Sequence, residues 1–249
     1  MKNIGLEKGK GGQAKAIIAP HGAWEISGSL AGAAFASAAA RAGKKSPSRA
    51  VIMGPIHDIR ENGLFLSNSH SFQTPLGDIL VDQKTNKKLQ SYGDIFEVND
   101  IPHLHEHSIE VLLPFVKYCF PDTPIVPILA GGPREQYAAP LSQSLRAVFE
   151  PFMEDTLFII SLNLAVHPDE TAALSMAREA QELFREGRRD ELNLALQDGR
   201  IAGCGGTLLA ALLCSGLLDT ARASLASETL LSARGENDRM VYYGAFSFG

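Results

Sequence analysis

Short apolar runs alternate along the chain with longer runs of helical spacing. The apolar runs are rich in Ile, Val, Leu and Ala, which is typical of strands buried on both faces of a sheet. They cover residues 15–19, 49–55, 123–129 and 155–161, and the helical runs cover residues 29–41, 136–150, 169–186, 189–197 and 208–218. This alternation predicts an α/β fold, a three-layer α/β/α sandwich with a mostly parallel sheet. Two closing strands, residues 228–233 and 239–248, predict some antiparallel pairing.

A histidine follows two of these strands. Pro20 ends the first strand and His21 comes next, while Gly54-Pro55-Ile56-His57 repeats the arrangement after the second strand. Ligands of open α/β sheets bind at the carboxyl ends of strands. Two neutral imidazoles at adjacent strand ends therefore predict the start of a metal site that lacks one or two further ligands. Taken singly, either residue fits a loop histidine bonded to backbone equally well.

Residues 103–120 predict a helix that carries polar chemistry on one side. Apolar residues recur there at helical spacing, and Pro114 is expected to kink the helix. His107 and Glu110 are i and i+3 neighbours, so an imidazole and a carboxylate share one side. We expect them to orient ligands or move protons rather than bind the metal. A zinc pair of His103 and His107 is a weaker alternative, because Pro102 leaves His103 at or before the helix start.

Two further stretches add candidate groups. Asn163 and His167 follow the strand at residues 155–161, although a histidine beside Pro168 also fits a plain helix start. Cys204 lies in the turn Gly203-Cys204-Gly205-Gly206 that opens a helix, where a thiolate is stabilised. At the first strand, Ser27 is expected to cap the helix at residues 29–41.

Composition narrows the class of protein. The 249 residues are 45% hydrophobic and carry a net charge of −5 without a basic stripe, which disfavours nucleic acid and anionic membranes as partners. No apolar stretch approaches a membrane span, and residues 1–12 lack the apolar core of a signal peptide. Three irregularly spaced cysteines support neither a disulfide framework nor a zinc ribbon. We expect a cytoplasmic protein with one domain, residues 1–249, of which residues 1–14 form a flexible segment.

Five motifs follow one another along the chain. The most specific is the long run Glu106-His107-Ser108-Ile109-Glu110-Val111-Leu112-Leu113-Pro114-Phe115. The others are Pro20-His21-Gly22-Ala23-Trp24-Glu25-Ile26-Ser27-Gly28, Gly54-Pro55-Ile56-His57, Thr74-Pro75-Leu76-Gly77-Asp78 and Cys204-Gly205. Together they cover most of the chain from about residue 16 onward, and they resemble the motifs of the Memo family, which is system protein B of the AmmeMemoRadiSam grouping.

The resemblance implies a class III extradiol dioxygenase-like fold and one metal ion held by His21, His57 and Cys204. A thiolate ligand favours iron, copper or zinc over magnesium or calcium, and we expect Fe(II), with Cu or Zn as alternatives. Because the dioxygenases use a carboxylate as third ligand, their reaction does not transfer automatically.

Three departures from the family pattern change the expected site. Family members usually begin with a further segment that contains a Gly-x-[Trp/Phe]-Tyr motif, and its absence before His21 is expected to open one flank of the site. In place of their Ser-Asp-x-x-His motif, this chain has Asn163 where the family has the acid, and His167 lies one residue further along the chain than the family histidine. The residues after Cys204-Gly205 also differ from the family pattern.

Three functions are consistent with these residues. The first is an iron- or copper-dependent oxidoreductase acting on a small substrate, such as an aromatic one. Its catalytic groups would be His107, His167 and Glu110, with Trp24 and Asn163 binding substrate. The alternative is a non-catalytic metal-binding or protein-interaction module whose partners belong to the AmmeMemoRadiSam grouping. Hydrolysis at a zinc-bound water ranks last, because no glutamate stands at a known zinc-hydrolase spacing.

Overall fold

Strands and helices alternate in the computed structural model, which describes residues 14–42, 46–58, 61–132 and 134–249. The strands are β1 (Ala16–Ala19), β2 (Arg49–Pro55), β3 (Gly63–Leu66), β4 (Ser71–Phe72), β5 (Ile79–Leu80), β6 (Phe96–Val98), β7 (Ile125–Gly131), β8 (Thr156–Ser161), β9 (Ala165–His167), β10 (Ala223–Leu225), β11 (Leu231–Arg234), β12 (Met240–Tyr243) and β13 (Phe246–Phe248). The helices are α1 (Trp24–Ala42), α2 (Gln83–Gln90), α3 (Ile101–His105), α4 (His107–Glu110), α5 (Leu113–Cys119), α6 (Arg134–Phe149), α7 (Glu170–Glu186), α8 (Arg189–Gln197) and α9 (Gly206–Cys214). Short 3₁₀ helices span Glu150–Asp155 and Glu236–Asp238.

One large sheet organises the molecule. Within the described residues its strand order is β10-β13-β1-β8-β2-β7-β3-β6. The central strands β1, β8, β2 and β7 are parallel, so their carboxyl ends meet at one edge. Strand β13 pairs antiparallel with β1 and with β10, and β3 pairs antiparallel with β7. A smaller antiparallel sheet has the order β11-β12-β9, and β4 pairs with β5.

Each face of the large sheet is covered by its own apolar core. Side chains alternate along β1, so Ala16 and Ile18 lie in one core while Ile17 and Ala19 lie in the other. Helices α1 and α5 cover the second face, and α2, α6, α7, α8 and α9 cover the first. The predicted α/β sandwich with a mostly parallel sheet and some antiparallel strands is therefore confirmed.

The predicted helix at residues 103–120 is wrong, because the structure has three short helices there instead of one kinked helix. Glu106 is extended, with φ −102° and ψ 128°, and separates α3 from α4. Pro114 lies in the first turn of α5, where its missing N–H costs nothing, so the chain restarts a helix rather than kinking one.

Two boundaries also differ from expectation. Helix α1 begins at Trp24, so Ser27 lies inside the helix and does not cap it. Three strands, β11, β12 and β13, stand in place of the two predicted closing strands, because residues 244–245 separate β12 from β13.

The remaining sequence expectations concern the terminus and the membrane. Of the segment 1–14 that was expected to be flexible, only Ala14 lies within the described residues, and it is 3% exposed. Within the described parts of the chain, no helix combines the length and the apolar character that crossing a bilayer requires.

Candidate metal centre

The site forms where parallel strands end. His21 follows β1 and His57 follows β2, but these strands are not neighbours, since β8 lies between them. The expectation of adjacent strand ends is therefore wrong. The intervening strand ends at Ser161, and Asn163 lies just beyond it. Ser161 and Asn163 both contact His21, so the end of β8 and the residues after it support the His21 side of the site.

His21, His57 and Cys204 come together at this edge. Their ligand atoms all lie within 4.8 Å of one another. His21 is only 1% exposed, whereas His57 is open to solvent and Cys204 is partly buried. The Nε2 atom of His21 is buried and has no hydrogen-bond partner among the described residues.

His21 is held on both its backbone and its ring. Its backbone N–H donates to Oδ1 of Asn163 at 3.1 Å, and its Nδ1 lies 2.7 Å from Oγ of Ser161. Burial, together with the neighbouring rings of His57 and His107, lowers the pKa of His21 to about 3. The imidazole of His21 is therefore neutral at physiological pH, the state in which histidine binds metal.

His57 has the opposite electrostatic environment. A hydrogen bond with the Cys204 side chain, and a second with Glu106, raise the pKa of His57 to about 10. Nδ1 of His57 lies 3.0 Å from Oε1 of Glu106, and its backbone N–H donates to Oε2 at 2.6 Å. Because Nδ1 is engaged by the carboxylate, Nε2 is left for Cys204.

Glu106 organises this side of the site. Its carboxylate caps α4 by accepting the backbone N–H of Ser108 at 2.8 Å, and it lies 3.1 Å from Nδ1 of His107. Burial alone would raise the pKa of Glu106, but the hydrogen bonds from His57 and Ser108 lower it to about 2. The buried carboxylate is therefore ionised and balances positive charge on His57, carried by a proton that a metal ion would displace.

Glycine allows the Cys204 loop to lie directly on the end of β8. A Cβ on Gly203 would lie 1.8 Å from the Asn163 carbonyl oxygen, and one on Gly205, at φ +91°, would lie 2.3 Å from that of Ser161. The Asn163 N–H donates to the Cys204 carbonyl at 3.2 Å. Asn163 thus contacts both the His21 loop and the Cys204 loop.

The donor set fits a transition-metal ion. Bonds of about 2.0–2.3 Å to nitrogen and sulfur place tetrahedral ligand atoms roughly 3.3–3.8 Å apart, so separations of up to 4.8 Å need only small side-chain shifts. A second group, His57, Glu106 and His107, has similar spacing. Its carboxylate already accepts hydrogen bonds from His57 and Ser108, so we assign it to orienting the imidazole rather than to binding metal.

A cavity of about 610 Å³ adjoins the centre. His57, Glu106, His107 and His105 contribute polar atoms to its wall, and Ile56, Ile101 and Pro102 contribute apolar surface. This volume is in the range that holds small organic ligands.

The other sequence-predicted site residues are spread around the centre. His107 lies beside the ligands, with its ring centroid 4.9 Å from that of His57 and 5.8 Å from that of His21. Glu110 is exposed at the end of α4 and lines a separate cavity with His103. Neither Glu110, His103 nor His167 belongs to a group of metal-binding spacing within the described residues. His167 pairs with Met240 in the small sheet, and its ring accepts the Asp169 backbone N–H at 3.0 Å.

The predicted substrate-binding residues have other contacts in the structure. Trp24 is 49% exposed, and its Nε1–H donates to the Val111 carbonyl at 2.9 Å. Asn163 is 7% exposed and uses its oxygen to hold the His21 backbone. Substrate binding by either residue stays a prediction.

Three residues of the site received no role from the sequence. Glu106 and Ser161 lie within recognised motifs, but the residue pattern does not show which atoms their side chains meet. Tyr243 packs its ring on Gly22, where a Cβ would lie 2.9 Å from Cε1. Because Gly22 directly follows His21, this contact places the phenol beside the centre, and burial raises the pKa of Tyr243. No local signal at residue 243 indicates this contact.

The fold and sequence are similar to those of known proteins. The crystal structure of an uncharacterized protein from Escherichia coli K12 matches with a TM-score of 0.56 and 11% identity, over 94% of this chain and 99% of that chain, which shows the fold alone. A MEMO1 family protein from Saccharolobus solfataricus is 26% identical over 94% of this chain and 82% of its own length.

Two further relatives show higher identity over shorter stretches. A MEMO1 family protein from Thermotoga neapolitana is 32% identical over 76% of this chain and 68% of its own length. A protein memo-1 homolog from Caenorhabditis elegans is 34% identical over 60% of this chain, but only 42% of the worm protein is covered. The family described as Memo-like protein matches residues 1–246. Because that match spans nearly the whole chain, this protein belongs to the Memo-like family.

Proposed function

We propose that this protein binds one transition-metal ion through His21, His57 and Cys204. One atom carries the proposal, the buried Nε2 of His21, which lacks a hydrogen-bond partner among the described residues. An unsatisfied buried polar atom costs about 1–3 kcal/mol, so its presence calls for an explanation. One ligand atom from each of His21, His57 and Cys204 lies within 4.8 Å of the other two, and a shared ion would satisfy all three side chains.

The ligand types favour particular metals. Two imidazole nitrogens and one sulfur suit iron, copper or zinc, and they disfavour magnesium and calcium, which prefer oxygen. Three protein ligands also leave at least one coordination position free for another molecule. We propose Fe(II) as the resident ion, with copper and zinc as the alternatives to be measured.

We further propose that the protein is a metal-dependent oxidoreductase acting on a small substrate. The bound ion would supply redox and Lewis-acid chemistry. The cavity of about 610 Å³ would bind the substrate, with Ile56, Ile101 and Pro102 excluding water from an apolar part such as an aromatic ring. Trp24 and Asn163 are proposed to line the substrate's path, as expected from the sequence.

His107 is the proposed proton-transfer group. Its Nδ1 lies 3.1 Å from Oε1 of Glu106, and because an ionised carboxylate only accepts, Nδ1 carries the proton. Nε2 is then the ring nitrogen left to exchange a proton with a molecule in the cavity, which His107 lines. Glu110 and His167, which lie outside the ligand group, are the weaker proposals for this role.

A non-catalytic module that binds metal and a protein partner is the second candidate. Ile101 and Leu104 on α3 are 58% and 77% exposed, and Ile101 also lines the cavity. Apolar side chains at the mouth of a site suit contact with another protein. Partners from the AmmeMemoRadiSam grouping are proposed for this function.

Metal content of the untagged protein tests the ligand set. We expect about one equivalent of iron, copper or zinc in the wild type and a loss of metal in Cys204→Ser. The matched control is Cys214→Ser, because Cys214 is an exposed thiol at the end of α9 and should leave metal content unchanged. Equal metal content in wild type and Cys204→Ser would contradict the proposed ligand set.

Oxygen uptake separates the two candidate functions. Anaerobically iron-loaded protein would be mixed with a panel of catechols and aminophenols, and substrate-dependent uptake that is lost in His107→Ala supports the oxidoreductase. Retained metal without any substrate-dependent uptake supports the binding module. Turnover supported by zinc alone and insensitive to oxygen would indicate hydrolysis instead.

A further inference from the structure

A chain of two hydrogen bonds leads from the ring of His21 into the protein interior. Oγ of Ser161 donates to the Ser108 carbonyl at 2.7 Å, and Nδ1 of His21 lies 2.7 Å from the same Oγ. His21 is 1% exposed, and Ser161 and Ser108 are both 0% exposed, so water does not compete for these groups.

Counting protons determines the direction of the second bond. A serine hydroxyl has one hydrogen, and a carbonyl oxygen can only accept, so the hydrogen of Ser161 is committed to Ser108. The hydroxyl oxygen can then only accept from His21, which requires a hydrogen on Nδ1. The other nitrogen, Nε2, is buried and meets no acceptor among the described residues, so it carries the free lone pair.

We propose that Ser161 is a positioning residue that holds His21 in the Nδ1–H tautomer and so presents the Nε2 lone pair to His57 and Cys204. The metal-binding consequence rests on the proposed function, whereas the tautomer itself does not require a metal. The alternative Nε2–H tautomer would place two lone pairs, those of Nδ1 and Oγ, 2.7 Å apart. Rotating the hydroxyl to avoid this would leave the buried Ser108 carbonyl without its donor.

The fold explains why Ser161 can do this. Strand β8 lies between β1 and β2, and Ser161 is in register with Ala19, two residues before His21. The Ser108 carbonyl comes from α4, whose capping residue Glu106 holds His57. A carboxylate thus orients one imidazole, and a neutral hydroxyl orients the other. Groups that orient metal-binding histidines in this way commonly change metal affinity 10- to 100-fold when removed.

Nitrogen NMR of the metal-free, full-length protein tests the tautomer directly. With ¹⁵N-labelled histidine, long-range proton–nitrogen spectra distinguish a protonated from an unprotonated ring nitrogen, and the His21 signals are assigned by their loss in His21→Gln. We expect the Nδ1–H tautomer in the wild type and a mixture or the Nε2–H tautomer in Ser161→Ala. A wild-type His21 in the Nε2–H form, or pure Nδ1–H in Ser161→Ala, would overturn the proposal.

Metal affinity provides the second measurement. Zn²⁺ competition against a chromophoric chelator should show about 10- to 100-fold weaker binding in Ser161→Ala, with partial recovery in Ser161→Thr, which keeps the hydroxyl. The matched control is Ser215→Ala, because Ser215 is also buried and also donates to a carbonyl, that of Leu212, at 2.6 Å.

The two proposals fail in different ways. A wild type that binds no Zn²⁺ while showing the Nδ1–H tautomer contradicts the metal site but not the role of Ser161 in the tautomer. Unchanged Zn²⁺ affinity in Ser161→Ala overturns the positioning role while the metal site stands. If Ser161→Ala does not fold, the wild-type tautomer and the affinity of Ser161→Thr still decide the question.

Discussion

Replacing Glu106 by alanine should destabilise the protein more than the same replacement at any exposed glutamate. The carboxylate is 4% exposed at the side chain and accepts the backbone N–H groups of His57 and Ser108 at 2.6 and 2.8 Å. It also contacts the rings of His57 and His107. Glu106→Ala removes the acceptor for all of these donors at once.

The size of the effect follows from the number of donors left behind. Each buried donor that loses its acceptor costs about 1–3 kcal/mol. Two backbone donors are affected, but solvent reaches the partly exposed His57, so we expect a loss of roughly 2–4 kcal/mol in the free energy of unfolding. For a chain of this size, each kcal/mol lowers the melting temperature by about 2–4 °C, which gives a decrease of about 5–15 °C.

Thermal unfolding of metal-free protein, followed by circular dichroism, measures this decrease. Glu110→Ala is the matched control, because Glu110 is an exposed glutamate at the other end of α4. We expect the control to change stability by less than about 0.5 kcal/mol. If Glu106→Ala melted within about 2 °C of the control, the hydrogen bonds assigned to Glu106 would not stabilise the fold.

Two further predictions concern the Cys204 loop and acid stability. In Gly203→Ala the new Cβ would lie 1.8 Å from the Asn163 carbonyl, so we expect lower thermal stability and weaker Zn²⁺ binding. Gly28→Ala, inside α1 with its nearest contact at 3.5 Å, should keep or raise thermal stability and leave Zn²⁺ binding unchanged. Although partial burial raises the pKa of Asp100, hydrogen bonds from Ser67, Asn68 and Ser69 hold it below the usual 3.8. The ionised Asp100 carboxylate therefore stabilises the fold above the pKa of the unfolded state, and this stabilisation is lost as the pH falls toward the lower pKa of the folded state. The urea midpoint of the wild type should therefore drop more than that of Asp100→Asn between about pH 5 and pH 3.

The layers of the fold could be predicted because they depend on local composition. Strands β1, β2, β7 and β8 are short apolar runs, and the helices between them have helical spacing, so the α/β sandwich follows from the pattern. Strand order depends on pairing between distant segments, which no local pattern records. The position of β8 between β1 and β2 was therefore missed, and with it the reason why Ser161 meets His21.

The helix at residues 103–120 was wrong for a related reason. Apolar spacing predicted one continuous element, but the Glu106 side chain bonds to the Ser108 N–H and starts a new helix at residue 107. A capping residue inside an apolar pattern can be recognised only when the backbone N–H that its side chain accepts is known. At the site, the sequence indicated which residue types follow each strand, whereas the contacts of Glu106, Ser161 and Tyr243 depend on tertiary packing.

The placement of β1 has a consequence for synthesis of the chain on the ribosome. This strand is made well before both of its neighbours in the sheet, with Ala16 aligned to Phe158 on one side and to Phe248 on the other. Sheets built from such distant pairings form slowly, because long loops must close first. Strand β1 thus gains its partners only after residues 158 and 248 have been synthesised, and His21 reaches its final surroundings no earlier.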